Sequence, residues 1–152
     1  MTTTSDELAK LRYAAGVDHQ AGALAWSVNE GIRRFWLVTS RRTGRWVLPK
    51  GSIDDGMTAP EAAAQEAFEE AGLICDVSPN AVGLYRIAKI RPPLIWSVEV
   101  SLFQMRVKEV LQEWQESKQR ERRLVTIDEA AEMIEEREII ELLRRTLPGL
   151  LP

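Results

Sequence analysis

The sequence predicts a mixed β-sheet with helices on its faces, α+β or α/β in type. Three observations carry that expectation. Short runs rich in β-branched and aromatic residues recur, most plainly over Leu94–Val107, where Ile95, Trp96, Val98, Val100 and Phe103 suit a sheet. Two segments of the form Thr-x-x-Glu, at Thr58 and Thr126, open helical patterns. No internal repeat or low-complexity linker divides the 152 residues, so the length points to one domain with room for a core.

Taken in order, residues 1–10 read as frayed or weakly helical. Ala21–Val28 and Arg33–Ser40 are expected strands joined through the turn-like Asn29-Glu30-Gly31. Arg42–Arg45 is a turn, "RWVLP" a short extended piece, and the glycines and aspartates after Lys50 an irregular loop. Thr58 then caps a helix with Pro60 at an early position that needs no N–H donor. Alanines carry it to Ala71, and Gly72 is placed to end it in the left-handed conformation.

Strands are expected around Ile74–Val77, Val82–Ile90 and Leu94–Val107, with Arg91-Pro92-Pro93 as the hairpin turn. After a polar loop, Glu109–Glu121, "RRLVTI" predicts a last strand. Thr126 caps "IDEAAEMIEE", and Ile139, Leu142, Leu143 and Leu147 form the apolar face of a closing helix.

Composition excludes several classes. A net charge of −3 argues against bulk binding of a nucleic-acid polymer, which calls for a strongly basic chain. One cysteine, Cys75, permits no internal disulfide, and no Cys/His cluster offers a zinc site. No apolar run reaches membrane-spanning length, and "MTTTSDELAK" does not read as a signal peptide. A cytoplasmic protein fits. Arg33, Arg34, Arg41, Arg42, Arg45 and Lys50 nevertheless cluster upstream of an acidic helix, a pairing that suits an anionic ligand held with a metal.

On that helix, at about 100° per residue, Glu66 and Glu70 fall about 40° apart and Glu69 about 60° to the other side. All three carboxylates share one face, with Ala64, Phe68 and Ala71 roughly opposite, ready to pack on a sheet. Bunched like charges destabilise an isolated helix by a few tenths of a kcal/mol per pair. A hard divalent cation such as Mg²⁺ reverses that sign. An acidic helix face taken alone is ordinarily solvated surface, so the surrounding segment has to decide.

The segment Leu48–Leu73, "LPKGSIDDGMTAPEAAAQEAFEEAGL", resembles the signature box of the Nudix hydrolases. Gly51 opens it and Glu66-Ala67-Phe68-Glu69-Glu70-Ala71-Gly72-Leu73 closes it at the family's spacing. Met57 stands where the box has its first Glu, and Gln65 where it has Arg. These two read as a paired, neutral replacement of a scaffold ion pair; a weakened or dead enzyme is the competing consequence. "FWLVTSRRTGRWVLPKG" and "EVLQEWQESKQRERRLVTIDEAAEMI" are similar to the branch that hydrolyses diphosphoinositol polyphosphates and diadenosine polyphosphates. Trp114, Ser117, Arg120 and Arg122 fall at that branch's motif positions, whereas Glu121 stands where the branch is basic.

The resemblance implies an α/β/α sandwich over residues 19–152, preceded by a partly flexible segment, 1–18. It implies Mg²⁺-dependent hydrolysis of a phosphoanhydride bond in a polyphosphorylated or nucleoside-diphosphate-linked small molecule, with Mn²⁺ as a substitute metal. Glu66, Glu69 and Glu70, with a backbone carbonyl of Lys50 or Gly51, would hold the metal, and Glu66 or Glu70 would activate water. Glu113 or Glu116 is the alternative base. Arg41, Arg42, Arg45, Lys50, Lys89, Arg91, Arg120 and Arg122 are the candidate phosphate ligands, led by Arg45, Lys50 and Arg122. The expected partner is that substrate alone, on a monomer or homodimer, with no membrane. The rival reading is a catalytically weak nucleotide-binding or regulatory domain. Trp26, Trp36, Trp46 and Trp96 are expected to pack in the core, Trp114 to stack on a base or cover the core, and His19 to lie at the surface.

Overall fold

The computed structural model describes Ser5 and residues 12–146. The expectations for the remaining N-terminal residues and for Leu147 fall outside the described residues. A long central strand, β1 (Arg12–Asn29), organises the sheet and starts well before the expected Ala21. It runs antiparallel to β2 (Ile32–Thr39), with Trp26 opposite Phe35. It runs parallel to β7 (Leu94–Val110), with Ala21 opposite Ser101. Further along, β1 pairs with β4 (Lys50–Ser52), with Gly22 facing Lys50. The Gly- and Asp-containing stretch expected to be wholly loop therefore begins with three residues of strand.

The sheet is completed by β3 (Trp46–Val47) and β8 (Arg122–Val125) on β2, and by β5 (Leu73–Val77) and β6 (Gly83–Arg91) on β7. Three helices are described: α1 (Ala59–Ala71), α2 (Ile127–Met133) and α3 (Arg137–Thr146).

The period-2 alternation of the strands sorts side chains onto two faces. Leu24, Phe35, Leu37, Val98, Val100 and Leu102 point to one face, where Ala130, Ile139, Leu142 and Leu143 of α2 and α3 cover them. Burying each Leu- or Val-sized side chain there contributes about 1.5–3 kcal/mol. Ala21, Ala23, Ala25, Val38, Phe103 and Met105 point to the other face and meet Ala62, Ala63, Ala67 and Ala71 of α1. The result is the expected α/β/α sandwich. The four tryptophans assigned to strands are partly buried against these two clusters.

One packing expectation fails. Phe68 is 44% exposed, while Glu70 on the same helix is only 6% exposed. Alanines on both α1 and β1 let the backbones approach closely. A close contact of this kind has no room for a phenyl ring, and it draws the neighbouring carboxylate under the helix.

Candidate active site

The helix that carries the acids is fixed at both ends. At its start the Thr58 hydroxyl accepts from the Glu61 N–H at 3.3 Å, and the Glu61 side chain accepts from the Thr58 N–H at 3.4 Å. At its end Gly72 adopts φ +65°. The terminal carbonyls then find partners in the segment between β7 and β8 and in the first residue of β8. Glu69 O accepts from the Glu116 N–H at 3.1 Å and Gly72 O from the Leu111 N–H at 2.8 Å. Glu70 O accepts from Trp114 Nε1 at 2.8 Å, and Ala71 O from Arg122 Nη1 at 2.8 Å. The Arg122 guanidinium lies over the Trp114 ring, 3.9 Å from its centroid. A cation at a helix C-terminus also complements the macrodipole, which two glutamates there would otherwise oppose.

Within this frame the acids occupy different environments. The Glu66 carboxyl rests directly against Gly51 of β4, where a methyl group would overlap it. Glu70 Oε1 accepts from the Lys50 N–H at 3.1 Å, and its Oε2 accepts from Arg120 Nη2 at 2.8 Å. Glu69 accepts from Gln65 Nε2 at 2.7 Å on the solvent side. Glu116, also buried, accepts from Arg120 Nε at 3.0 Å, and Arg41 Nε lies 3.6 Å from it. Arg120 gives a third hydrogen bond to Thr39 O at 2.9 Å.

Burial, followed by repulsion from Glu70, Glu69 and Glu116, pushes the Glu66 carboxyl up to about 7. Burial also raises Glu70 to about 7, with Arg120 and the Lys50 amide acting the other way. Lys50 is lowered to about 8 by burial and by the neighbouring Lys89. Acids that resist ionising beside an amine that resists protonation mark a functional site more often than a structural one.

Glu70 and Lys50, but not Glu66, Glu69 or Glu116, line a cavity of about 560 Å³. Its wall includes Arg41, Arg42, Arg45, Lys50, Lys89 and Arg120, six of the eight cations expected to meet phosphate. Arg91 and Arg122 are not on that wall. Arg122 is committed to Trp114 and the end of α1, and Arg91 is exposed at the β6–β7 turn. Arg120 reaches the cavity with three of its N–H groups already engaged, which makes it a clamp on Glu70 and Glu116 more than a free phosphate ligand. Glu113 is exposed, so of the two loop glutamates only Glu116 enters the site. Trp114 covers the end of α1 rather than offering a free stacking face. His19 is exposed, 3.6 Å from Glu99. Tyr85, Gln20 and Glu136 also line the cavity and were not singled out by sequence, since each reads as an ordinary strand or surface residue.

A sequence profile of the NUDIX domain matches residues 18–145. The chain belongs to the Nudix family. Among curated relatives it is 33% identical over 101 residues to Nudix hydrolase 12, mitochondrial, of Arabidopsis thaliana, spanning 64% of this chain and 50% of that protein. It is 35% identical to Nudix hydrolase 16, mitochondrial, of the same plant, spanning 63% and 56%. The chain thus spans about half the length of the curated relatives it matches. Among solved structures, the C. elegans Ap4A hydrolase superposes with a TM-score of 0.67 at 21% identity, covering 89% of this chain and 99% of that one. A Nudix hydrolase from Nitrosomonas europaea superposes at 0.68 with 15% identity, covering 88% and 90%. Those identities establish the shared fold. The relatives named mitochondrial give no support to a cytoplasmic address. Among the described residues no helix is long and apolar enough to cross a membrane.

Proposed function

We propose that this Nudix chain is a divalent-metal-dependent hydrolase that cleaves a phosphoanhydride bond in a small polyphosphorylated or nucleoside-diphosphate-linked molecule. Diadenosine polyphosphates and diphosphoinositol polyphosphates are the two leading substrate classes. The observation that carries the reading is the placing of Glu70 on the wall of a cavity shared with Arg41, Arg42, Arg45, Lys50, Lys89 and Arg120, with the Glu66 carboxyl held against Gly51, one residue along β4 from Lys50. The names of the Arabidopsis relatives and of the C. elegans neighbour point the same way.

The donor set fits Mg²⁺ in kind. Mg²⁺ takes one or two carboxylates and completes its shell with waters and substrate phosphates. Among the described residues no three acidic, His or Cys side chains form a ready cage. Glu66 and Glu70, with a backbone carbonyl of Lys50 or Gly51, are the ligands we assign, with Glu69 close by on the same helix. When bound, the cation supplies charge neutralisation and a more acidic water.

The remaining work falls to the chain. Lys50 and Lys89 face the phosphates as point charges, and Arg41, Arg42 and Arg45 supply forked donors from the β2–β3 turn. Glu66 or Glu70 would accept a proton from the attacking water. Glu116 is the alternative base, held in place by Arg120. Met57 packs partly buried against the alanine cluster and Gln65 bonds to Glu69, so both departures from the box are accommodated without an orphaned charge. This accommodation favours the enzyme over the weak binder. The domain is assigned as a single unit from residue 19 onward.

Phosphate release from a panel containing diadenosine tetraphosphate and a diphosphoinositol polyphosphate, with Mg²⁺ or Mn²⁺, tests the reading. Glu70→Gln keeps the acceptor for the Lys50 N–H and should abolish turnover with the fold intact. Undiminished release from that variant removes Glu70 from the site. Saturable ligand binding with no turnover by the unmodified chain favours the binder.

A further inference from the structure

Two polar atoms of residues on the cavity wall have no hydrogen-bond partner: the Tyr85 hydroxyl and Gln20 Oε1. Tyr85 is fully buried, on β6, and its hydroxyl lies within electrostatic reach of Glu136 and Glu70. Burial, then those carboxylates, hold its proton on. A buried hydroxyl left unpaired is costly, and native structures rarely keep one without a use. Tyr85, Ile87 and Lys89 alternate along β6 and all three line the cavity, so Tyr85 sits two pleats, roughly 13 Å, from Lys89. Leu48, Ile87 and Ile139 line the wall as well, which gives an otherwise cationic cavity an apolar portion.

We propose that Tyr85, Glu136 and Gln20 form a specificity subsite for the uncharged, hydrogen-bond-donating end of the substrate. This proposal rests on the hydrolase reading and narrows its substrate. Glu136 and Gln20 Oε1 accept hydrogen bonds, and Tyr85 both gives and accepts, so the set asks for N–H or O–H donors. A phosphate group is anionic and presents mainly acceptors, and Glu136 repels it. An inositol ring carrying phosphate at every position therefore fits poorly, whereas a nucleobase or an unphosphorylated sugar fits. Glu136, half-buried just ahead of α3, stands on the same wall.

Calorimetric titration with adenosine monophosphate, ribose 5-phosphate and inorganic phosphate tests this without turnover. In the unmodified chain the neutral moiety should tighten binding over inorganic phosphate by about tenfold or more. If the advantage appears with ribose 5-phosphate the subsite reads the sugar; if only with adenosine monophosphate it reads the base. Tyr85→Phe and Glu136→Gln should each shrink that advantage by about fivefold, with inorganic phosphate affinity changed by less than about twofold in Tyr85→Phe and not weakened in Glu136→Gln. Should Tyr85→Phe fail to fold, Glu136→Gln decides alone. An advantage that is absent, or equal in all three proteins, overturns the proposal. If no phosphoanhydride is hydrolysed but the advantage exists and the variants erase it, the hydrolase reading falls and the subsite stands.

Discussion

Replacing Arg120 with Met isolates a buried charge cluster. The Arg120 side chain is 9% exposed, Glu70 8% and Glu116 11%, and the guanidinium bonds both carboxylates. Met fills similar volume but leaves two carboxylates without their cation. Breaking a buried pair by removing one partner costs about 3–5 kcal/mol. The variant can escape part of that by taking up protons. Glu70 already titrates at about 7, and losing Arg120 raises it further, because Arg120 is what opposes the effect of burial. A folded carboxyl raised above its unfolded value contributes stability at low pH, and that contribution is lost as pH rises through the folded pKa. The loss relative to the parent should therefore be greatest near pH 8, and smaller near pH 6 by about 1.4 kcal/mol per retained proton per unit of pH. Urea denaturation followed by tryptophan fluorescence, in chelator at both pH values, reads it directly. Adding Glu70→Gln to the variant should recover part of the loss. A cost under about 1 kcal/mol at pH 8, or one independent of pH, would refute the clamp.

Gly51→Ala places a methyl group on the Glu66 carboxyl and should lower turnover by about 10²-fold, with stability changed by about 1 kcal/mol or less. Unaltered kinetics would show that Glu66 is not held there. Gly72→Ala puts a Cβ at φ +65° and 2.8 Å from Trp114, and should cost about 1–3 kcal/mol in denaturant unfolding. Met57→Glu sets a carboxylate against the alanine cluster and should lose about 1–3 kcal/mol, of which adding Gln65→Arg restores a measurable part. No restoration would mean that the two positions are not a paired replacement.

Legibility in the sequence followed how local the determining physics is. The acidic helix could be bounded in advance because its cap, its alanines and its closing glycine lie within one segment. Its orientation could not. Angular spacing placed Phe68 inward, but the facing strand carries Ala21, Ala23 and Ala25, and that information lies tens of residues away. The three-residue strand Lys50–Ser52 was hidden for a similar reason. Its sequence favours a turn, and only pairing with Gln20, Ala21 and Gly22 makes it a strand. Charge type was visible at Arg120 and Arg122, but their partners were not. Both read as phosphate ligands until Glu70, Glu116, Trp114 and the last carbonyls of α1 are set beside them. Tyr85 gave no signal, since an orphaned hydroxyl exists only once neighbours are known.

The four carbonyls at the end of α1, each taken by a donor from the segment after β7, restrict how the cavity can breathe. Lifting that segment as a flap would uncap the helix and draw Arg120, with Glu116, away from Glu70 in one movement. The looser part of the cavity wall is the exposed turn from Arg41 to Arg45, held by ion pairs of Arg45 with Glu135 at 2.6 Å and of Arg41 with Glu116 at 3.6 Å. The amides of Leu111 and Glu116 should exchange with solvent at the slow pace of the helix, and those of the arginine turn far faster.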